Sequence, residues 1–427
     1  MYMIKTIIKK EILENLLSFK FSIVTIFSVI LIFTSVFIMH RDYQLRVENY
    51  EILQPQPRQP IAIIPPTPLS IFAKGLDETM GRSYEIRFGG QIRVGSKQQS
   101  INTLFRLFTA PDLLYIIKVV LSLCAMLFAF NLISGEKEAG TLKLSLSNTI
   151  GRAYIIIGKW AGGFSSFMVP FLITLLVSII LVTLSPQVQM NSENWVKLIL
   201  FSVSSILYLA IFFSLGVFIS CITHRTASSL VISLFAWALI VFVIPNLGNI
   251  LAKQFVTIPT VQQLEVKRDH IWIKEVFELN NEMTKNTSQK SRSESFSKRL
   301  NNINYENDKL IADYRTRFSG LVTLSKNISR ISPSATFTYL ATDLAGTGIL
   351  EEQRLKQALL QYKNTIWDKP VDSDGNLKGE FSPFDFKRSS ITSVLANGGI
   401  SNGMILILFN LLVFSATYVA FLRYDVR

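Results

Sequence analysis

Six long apolar stretches constrain the fold of this chain more than any other feature of its sequence. They cover residues 21–39, 113–133, 161–184, 198–221, 226–249 and 403–422, and their only charged side chain is Lys118, near one end of the second. About 20 apolar residues in a helix cross the hydrocarbon core of a bilayer, because each helical residue rises about 1.5 Å. The sequence therefore predicts an all-α polytopic membrane protein with six transmembrane helices.

The charged residues are unevenly distributed along the 427 residues. Residues 253–388 carry 21 Lys and Arg and 17 Asp and Glu, which is more than half of the 73 charged residues. A soluble globular protein spreads its charge over its whole surface, so this class of protein is excluded. The net charge of +13 does not indicate a nucleic-acid partner, because the basic residues flank apolar stretches or alternate with acidic residues.

The short connecting segments predict the orientation in the membrane. Lys and Arg are concentrated in residues 1–20, in residues 134–160, in the tight turn at His224 and Arg225, and in the tail at residues 423–427. Residues 185–196 contain neither Lys nor Arg. Short segments rich in Lys and Arg remain in the cytoplasm, so both termini are predicted to be cytoplasmic in a bacterial inner membrane.

Two longer segments are predicted on the extracytoplasmic side. Residues 40–112 contain a proline-rich stretch at 54–70, for which we predict a stiff extended tether, with a docking site for a partner peptide as the alternative. Residues 250–402 are predicted to form a large, mainly helical domain. Apolar residues in steps of 3, 4 and 7 indicate helices over 261–283 and 290–331, and the break at 286–288 suggests that they form a hairpin. Residues 372–376 carry a further turn signal.

No enzyme motif is visible. The histidines His40, His224 and His270 are far apart, and the chain contains no GxxxxGK[ST] phosphate-binding loop. We therefore predict no catalytic site, no metal and no ATP or other cofactor bound by this chain. Two glycine pairs, Gly158 with Gly162 and Gly399 with Gly403, predict close helix packing, either within the chain, which we favour, or between two chains.

The segment after the second apolar stretch reads Gly-Glu-Lys-Glu-Ala-Gly-Thr-Leu over residues 135–142, and Ser-Asn-Thr at 147–149 and Arg152 follow. It resembles the permeases of ABC-2 type transporters, which leave the second span through Gly-Glu-(Lys/Arg)-Glu-x-Gly-Thr-Leu, followed by a Ser-Asn-Pro-like turn and an arginine. The matching residues include Glu136, Lys137, Glu138, Gly140, Thr141 and Arg152, and Thr149 stands where proline is common. Residues 68–76 resemble a branch of the family with large extracytoplasmic insertions.

The resemblance implies a function for the cytoplasmic segments. Residues 134–160 would form the coupling segment that docks on a separate ATPase subunit, which binds the ATP, and the turn at His224 and Arg225 would be a second contact. Residues 1–20 resemble the family's amphipathic elbow helix, which lies on membrane lipid. A second permease copy or a sister permease would complete an exporter. In the alternative function, ATP hydrolysis moves the extracytoplasmic domain to control a periplasmic partner, and nothing is transported.

Overall fold

The computed structural model describes residues 2–52, 61–81, 83–87, 91–94, 111–147, 151–285, 289–367 and 382–424. Among these residues, six helices are long and apolar enough to cross a membrane, and we number them as spans. Span 1 is Phe19–Ile52, span 2 Leu113–Glu138, span 3 Arg152–Thr183, span 4 Ser192–Ile222, span 5 Thr226–Phe255 and span 6 Ile391–Leu422. The predicted number of spans and the all-α polytopic class are confirmed.

One further helix precedes span 1, and others lie between the spans together with a small sheet. The helices are α1 (Tyr2–Leu16), α2 (Thr141–Ser147), α3 (Val261–Lys285), α4 (Gln289–Ser329), α5 (Pro333–Ala345) and α6 (Ile349–Trp367), with shorter helices at Pro68–Ile71 and Asp77–Met80. Strands β1 (Ile61–Ala62), β2 (Tyr84–Arg87) and β3 (Gln91–Val94) form an antiparallel sheet in that order. The chain divides into a main unit, Met1–Val241 with Pro333–Arg427, and a hairpin unit, Phe242–Ser332.

Several spans are longer than their apolar stretches. Span 1 continues past residue 39, where the apolar stretch ends, and reaches Ile52. The added part is polar, and it is stabilised by the ion pair between Arg46 and Asp42, one helical turn earlier, at 3.1 Å. Span 6 begins at Ile391 rather than at residue 403, and it bends at Gly398, whose φ of +124° requires glycine. An apolar stretch therefore gives the number of spans but not the helix ends.

The core of the main unit forms around span 4. Tyr208, in the middle of this helix, is fully buried and stacks on Phe337 of α5, with ring centroids 4.5 Å apart. Its hydroxyl donates to the backbone carbonyl of Lys118 at 2.8 Å, within a π-helical turn of span 2. Helix α5 is almost wholly buried. The prediction of a single domain over residues 250–402 is therefore wrong: α5 belongs to the core of the main unit, while α3 and α4 belong to the hairpin unit.

The proline-rich stretch is packed rather than extended as a tether. Residues 61–73 are mostly buried, including the apolar side chains that lie between and after the prolines. The Thr67 hydroxyl donates to the carbonyl of Ala345 at 3.3 Å, and Leu114 N–H donates to the carbonyl of Phe72 at 3.0 Å. The tether prediction is wrong for these residues, because the apolar side chains between the prolines bury themselves. Residues 54–60 lie outside the described part of the chain.

A buried carboxylate joins residues from both long segments between spans. Asp77 is 1% exposed, and it accepts hydrogen bonds from Arg46 and, at 3.3 Å, from Arg388. Arg388 also donates to the carbonyls of Gly346 at 2.7 Å and Pro65 at 3.0 Å. These bonds therefore join the described residues at 61–81 to those at 346–367 and 382–390.

The hairpin unit consists of α3, α4 and the end of span 5. Arg299 of α4 is held by Glu275 at 3.1 Å and Glu282 at 2.5 Å, both on α3. Further along α4, Ser329 donates to the carbonyl of Pro245 at 2.9 Å, beside Gly248, where any Cβ would clash with the Ser329 hydroxyl. The two predicted helices are confirmed. The predicted break at 286–288 and the turn at 372–376 lie outside the described residues.

Candidate functional site

The candidate site begins where span 2 ends. The last helical turn of this span is Ser134–Glu138, and Gly140 then adopts a φ of +75° before α2 starts at Thr141. A left-handed residue commonly ends a helix, and glycine is favoured there because it has no Cβ. A Cβ added at Gly140 would meet no described atom within 4 Å, so the residue is required for its backbone conformation and not for packing.

Glu136 belongs to a buried cluster of three charged side chains. Lys159 of span 3 donates to Glu136 at 2.9 Å and to Glu11 of α1 at 2.6 Å, and its side chain is only 7% exposed. A buried ammonium group is stable only when carboxylates compensate its charge. The cluster therefore joins the end of span 2, the start of span 3 and α1.

Lys137 lies against the end of span 4. Its ammonium group donates to the backbone carbonyl of Cys221 and, at 3.0 Å, to that of Thr223, and it lies 4.5 Å from the ring centroid of Tyr424. The last carbonyls of a helix have no partner within the helix, and a cation there is stabilised by both hydrogen bonding and the helix dipole. Lys137 therefore attaches the end of span 2 to the end of span 4.

Glu138 caps the start of span 5. Its carboxylate accepts from Thr226 N–H at 2.9 Å and from the Thr226 hydroxyl at 2.6 Å. The residue preceding this helix, Arg225, makes no capping hydrogen bond with its own side chain. A carboxylate at a helix N-terminus satisfies free N–H groups and interacts favourably with the dipole. This contact places the predicted second contact, His224 and Arg225, beside the coupling segment.

Arg152 lies at the first turn of span 3. Its guanidinium group donates to the carbonyls of Leu422 and Tyr424, each at 3.0 Å, at the end of span 6. The Thr141 hydroxyl makes a longer contact, at 3.4 Å, with the carbonyl of Glu136. The structure thus brings all eight predicted residues to the same end of the helix bundle. Asn148 and Thr149 lie outside the described residues.

Several residues around these contacts are exposed on the surface of the chain. The exposed positions are Glu138, Ala139, Gly140, Thr141, Lys143, Leu144, His224 and Arg225. Leu144 of α2 is 74% exposed, whereas its neighbour Leu142 is buried in the main unit. We call these eight residues the docking face. A single exposed leucine does not by itself mark an interface. The docking face is a candidate because Leu144 lies among polar and charged residues at the ends of the spans.

Sequence reasoning missed the role of α1 in this site. Gly158 and Gly162 pack against α1: a Cβ at Gly162 would lie 2.6 Å from Cβ of Glu11, and one at Gly158 would lie 2.7 Å from Ile7. The favoured prediction, packing within the chain, is therefore confirmed for this pair. The charged Lys159 between the two glycines indicated that this part of span 3 has a polar partner. The neighbouring sequence does not identify that partner as Glu11.

The described residues contain no obvious metal site. Among them, no three His, Cys, Asp or Glu side chains lie close enough together to hold a metal ion. The two cysteines, Cys124 and Cys221, are buried free thiols.

Comparison with protein families gives a match over nearly the whole chain. The model described as "ABC-2 family transporter protein" matches residues 5–426. No curated protein matches the sequence. The six spans and the match agree, because a permease of this kind must cross the membrane several times. The chain therefore belongs to the ABC-2 family of transporter proteins and is a multi-pass membrane permease of an ABC transporter.

Proposed function

We propose that this chain is the permease subunit of an ABC-2 exporter, powered by a separate ATPase subunit through residues 134–152. Both termini and the docking face are cytoplasmic in this proposal, in a bacterial inner membrane. The ATPase subunit binds and hydrolyses ATP, and the chain itself contributes no catalytic group. Two permeases, either two copies of this chain or one copy with a sister permease, enclose the path of the exported substrate.

One observation carries the proposal: Glu136, Lys137, Glu138 and Arg152 of this segment bond to the ends of several helices. Glu136 reaches span 3 and, through Lys159, α1. Lys137 reaches the end of span 4, Glu138 the start of span 5 and Arg152 the end of span 6. A displacement of this segment is therefore transmitted directly to most of the bundle. A loop with only local contacts would absorb the same displacement without moving the spans.

The docking face supports contact with a soluble subunit. Leu144 offers an apolar anchor, and Lys143, His224 and Arg225 offer donors around it. An apolar anchor within a polar rim is the usual composition of a protein interface. ATP-driven closure of the ATPase dimer would press on this face and tilt the spans, which opens the path between the two permeases.

The experiment replaces Leu144 by Ser and compares it with Leu184→Ser. Both leucines are 74% exposed, but Leu184 follows the opposite end of span 3, so the pair matches in chemistry and exposure. Full-length tagged chain is purified from its own host membranes, and the ATPase subunit that accompanies it is quantified together with ATPase activity. We expect Leu144→Ser to lose at least about tenfold of the bound ATPase, since an anchor residue contributes about 2 kcal/mol, while Leu184→Ser retains it. If both variants retain the ATPase subunit equally, the proposal that this subunit binds the docking face is refuted.

The alternative, mechanical control of a periplasmic partner without transport, is favoured by the hairpin unit. Helix α4 has 41 residues, a length of about 60 Å, and Arg299 links it to α3. A stiff hairpin of this length can transmit motion over a distance that transport does not require. Reconstituted vesicles containing the purified complex separate the two functions, because an exporter moves lipid or another solute of its own membrane on addition of ATP. ATP hydrolysis with no movement of any extracted membrane component would support the mechanical function.

A further inference from the structure

Helix α3 carries two apolar faces. One includes the partly buried Leu264 and Ile271, and on the same side Glu275 bonds to Arg299 of α4 at 3.1 Å. The opposite face carries Val266, Ile273 and Phe277, which are 55%, 62% and 64% exposed. Single exposed apolar residues are common, but three in line on one helix mark a surface that another element covers.

The spacing of this second face is that of a coiled-coil seam. Val266, His270, Ile273 and Phe277 follow one another in steps of 4, 3 and 4, which places them at alternating d and a positions of a heptad repeat. The exposed residues Asp269 and Lys274 then occupy the g and e positions that flank the seam. The heptad spacing of these residues, their helical structure and their exposure therefore define the seam as residues 266–277 of α3.

The charges on the two flanks select the orientation of the covering helix. In a parallel two-stranded coiled coil a g residue faces the partner's e residue five positions later, which is the separation of Asp269 and Lys274. A second, identical helix in register would therefore form this ion pair twice. In the antiparallel arrangement g meets g and e meets e, which would bring like charges together. Neither side chain has a partner among the described residues of its own chain that would compete for it.

We propose that a second copy of this chain covers the seam, so that two α3 helices pair in parallel and in register. This inference rests on the proposed function, from which it takes the pairing of two permeases, and it specifies that the pair consists of identical chains. Three apolar residues and two ion pairs are too few to hold two soluble proteins together. They suffice when the membrane-embedded parts already keep the two chains close, since the effective concentration is then high.

The experiment uses disulfide formation in full-length chain in its own membranes. A cysteine at His270 would lie opposite its counterpart at an a position, where the Cα atoms are about 6 Å apart and can be bridged. The matched control is Glu265→Cys, which is also exposed but lies outside the seam, and the unmodified chain shows the background from the buried Cys124 and Cys221. We expect mild oxidation to give disulfide-linked dimers with His270→Cys and only background with Glu265→Cys. Equal yields of disulfide-linked dimer from the two variants would overturn the proposal that the seam pairs with a second copy.

Charge reversal tests the pairing directly. In the His270→Cys background, Asp269→Lys and Lys274→Asp should each lower the dimer yield about fivefold, because two ion pairs are lost. The double variant restores opposite charges across the seam and should recover the yield. Failure of the double variant to recover would overturn the parallel register. Linkage of His270→Cys to a different protein, or its burial by lipid, would show another occupant and overturn the proposal.

A second readout separates this inference from the proposed function. Two differently tagged copies are expressed together, and the recovery of one with the other is measured along with the bound ATPase subunit. Co-recovery without a His270→Cys disulfide overturns the seam and leaves the permease pair intact. Bound ATPase without co-recovery shows a pair with a sister permease, which overturns pairing of identical chains but not the proposed function.

Discussion

At the scale of single residues, the coupling site depends on Lys159. Its ammonium group is buried between Glu11 and Glu136, so one side chain determines the position of both α1 and the end of span 2. The acidic residue Glu136 was predictable from the resemblance of its segment to the ABC-2 permeases. Its two partners were not, because contacts between residues 11, 136 and 159 depend on how the helices pack and leave no local pattern in the sequence.

The role of Lys159 can be separated from simple stability. Lys159→Met should destabilise the chain by about 3–5 kcal/mol, because two buried carboxylates lose their counter-charge. Adding Glu11→Gln and Glu136→Gln removes those charges and should restore most of the thermal stability in detergent. We expect the triple variant to stay uncoupled, with permease-dependent ATPase activity reduced although the complex assembles. Normal coupling in a stable triple variant would mean that the cluster serves folding only.

At the scale of elements, most helices follow from their apolar periodicity, whereas their ends and partners do not. The apolar stretches gave the six spans, and the steps of 3, 4 and 7 gave α3 and α4. The proline-rich residues 61–73 were misassigned, since prolines indicate an extended backbone but do not show whether the chain is buried. Burial was decided by partners such as Ala345, more than 270 residues away.

The attachment of α1 to span 3 depends on the absence of side chains at the contact. Gly162→Ala would place a methyl group 2.6 Å from Cβ of Glu11, so α1 must shift, at a cost of about 1–3 kcal/mol. Gly403→Ala is the control, because a Cβ there would meet no described atom within 4 Å. We expect thermal unfolding in detergent to occur at lower temperature for Gly162→Ala and to be unchanged for Gly403→Ala. Equal effects of both changes would contradict the packing of α1.

The hairpin unit should depend on pH through Arg299. The hydrogen bond from Arg299 lowers the pKa of Glu282, and the carboxylates of Glu282 and Glu275 raise the pKa of the guanidinium group. A carboxyl whose pKa is lowered by folding stabilises the fold above its unfolded pKa of about 4.3 and loses that contribution as the pH falls. Amide hydrogen exchange in α3 should therefore accelerate on acidification from pH 7 toward about 4, beyond the intrinsic effect of pH.

Two substitutions check the origin of this pH dependence. Arg299→Ala should weaken the protection of α3 already at pH 7 and remove most of its acid sensitivity. Arg317→Ala is the control, since the ion pair of Arg317 is with the exposed Asp313 on the same helix. An unchanged pH profile in Arg299→Ala would show that other carboxylates set the acid response.

At the scale of the whole molecule, Lys and Arg in the short connecting segments predict the orientation of the chain in the membrane. The orientation determines whether a cytoplasmic ATPase can reach the docking face. Lys143→Cys and Gln187→Cys place exposed thiols at opposite ends of span 3. In intact cells a membrane-impermeant maleimide should label Gln187→Cys only, and Lys143→Cys should react after the membrane is opened. The native thiols are buried and add little background. Labelling of Lys143→Cys from outside the cell would reverse the orientation and remove the coupling scheme.

The stacking of Phe337 on Tyr208 also has a consequence for how the protein is made. A ribosome completes span 4 more than 100 residues before it synthesises α5, so Tyr208 and Phe201 remain without their partner while the hairpin unit is translated. The bundle therefore reaches its final packing only late in biosynthesis. Chains that terminate prematurely before residue 333 would lack this closing helix, and cellular quality control should recognise and degrade them.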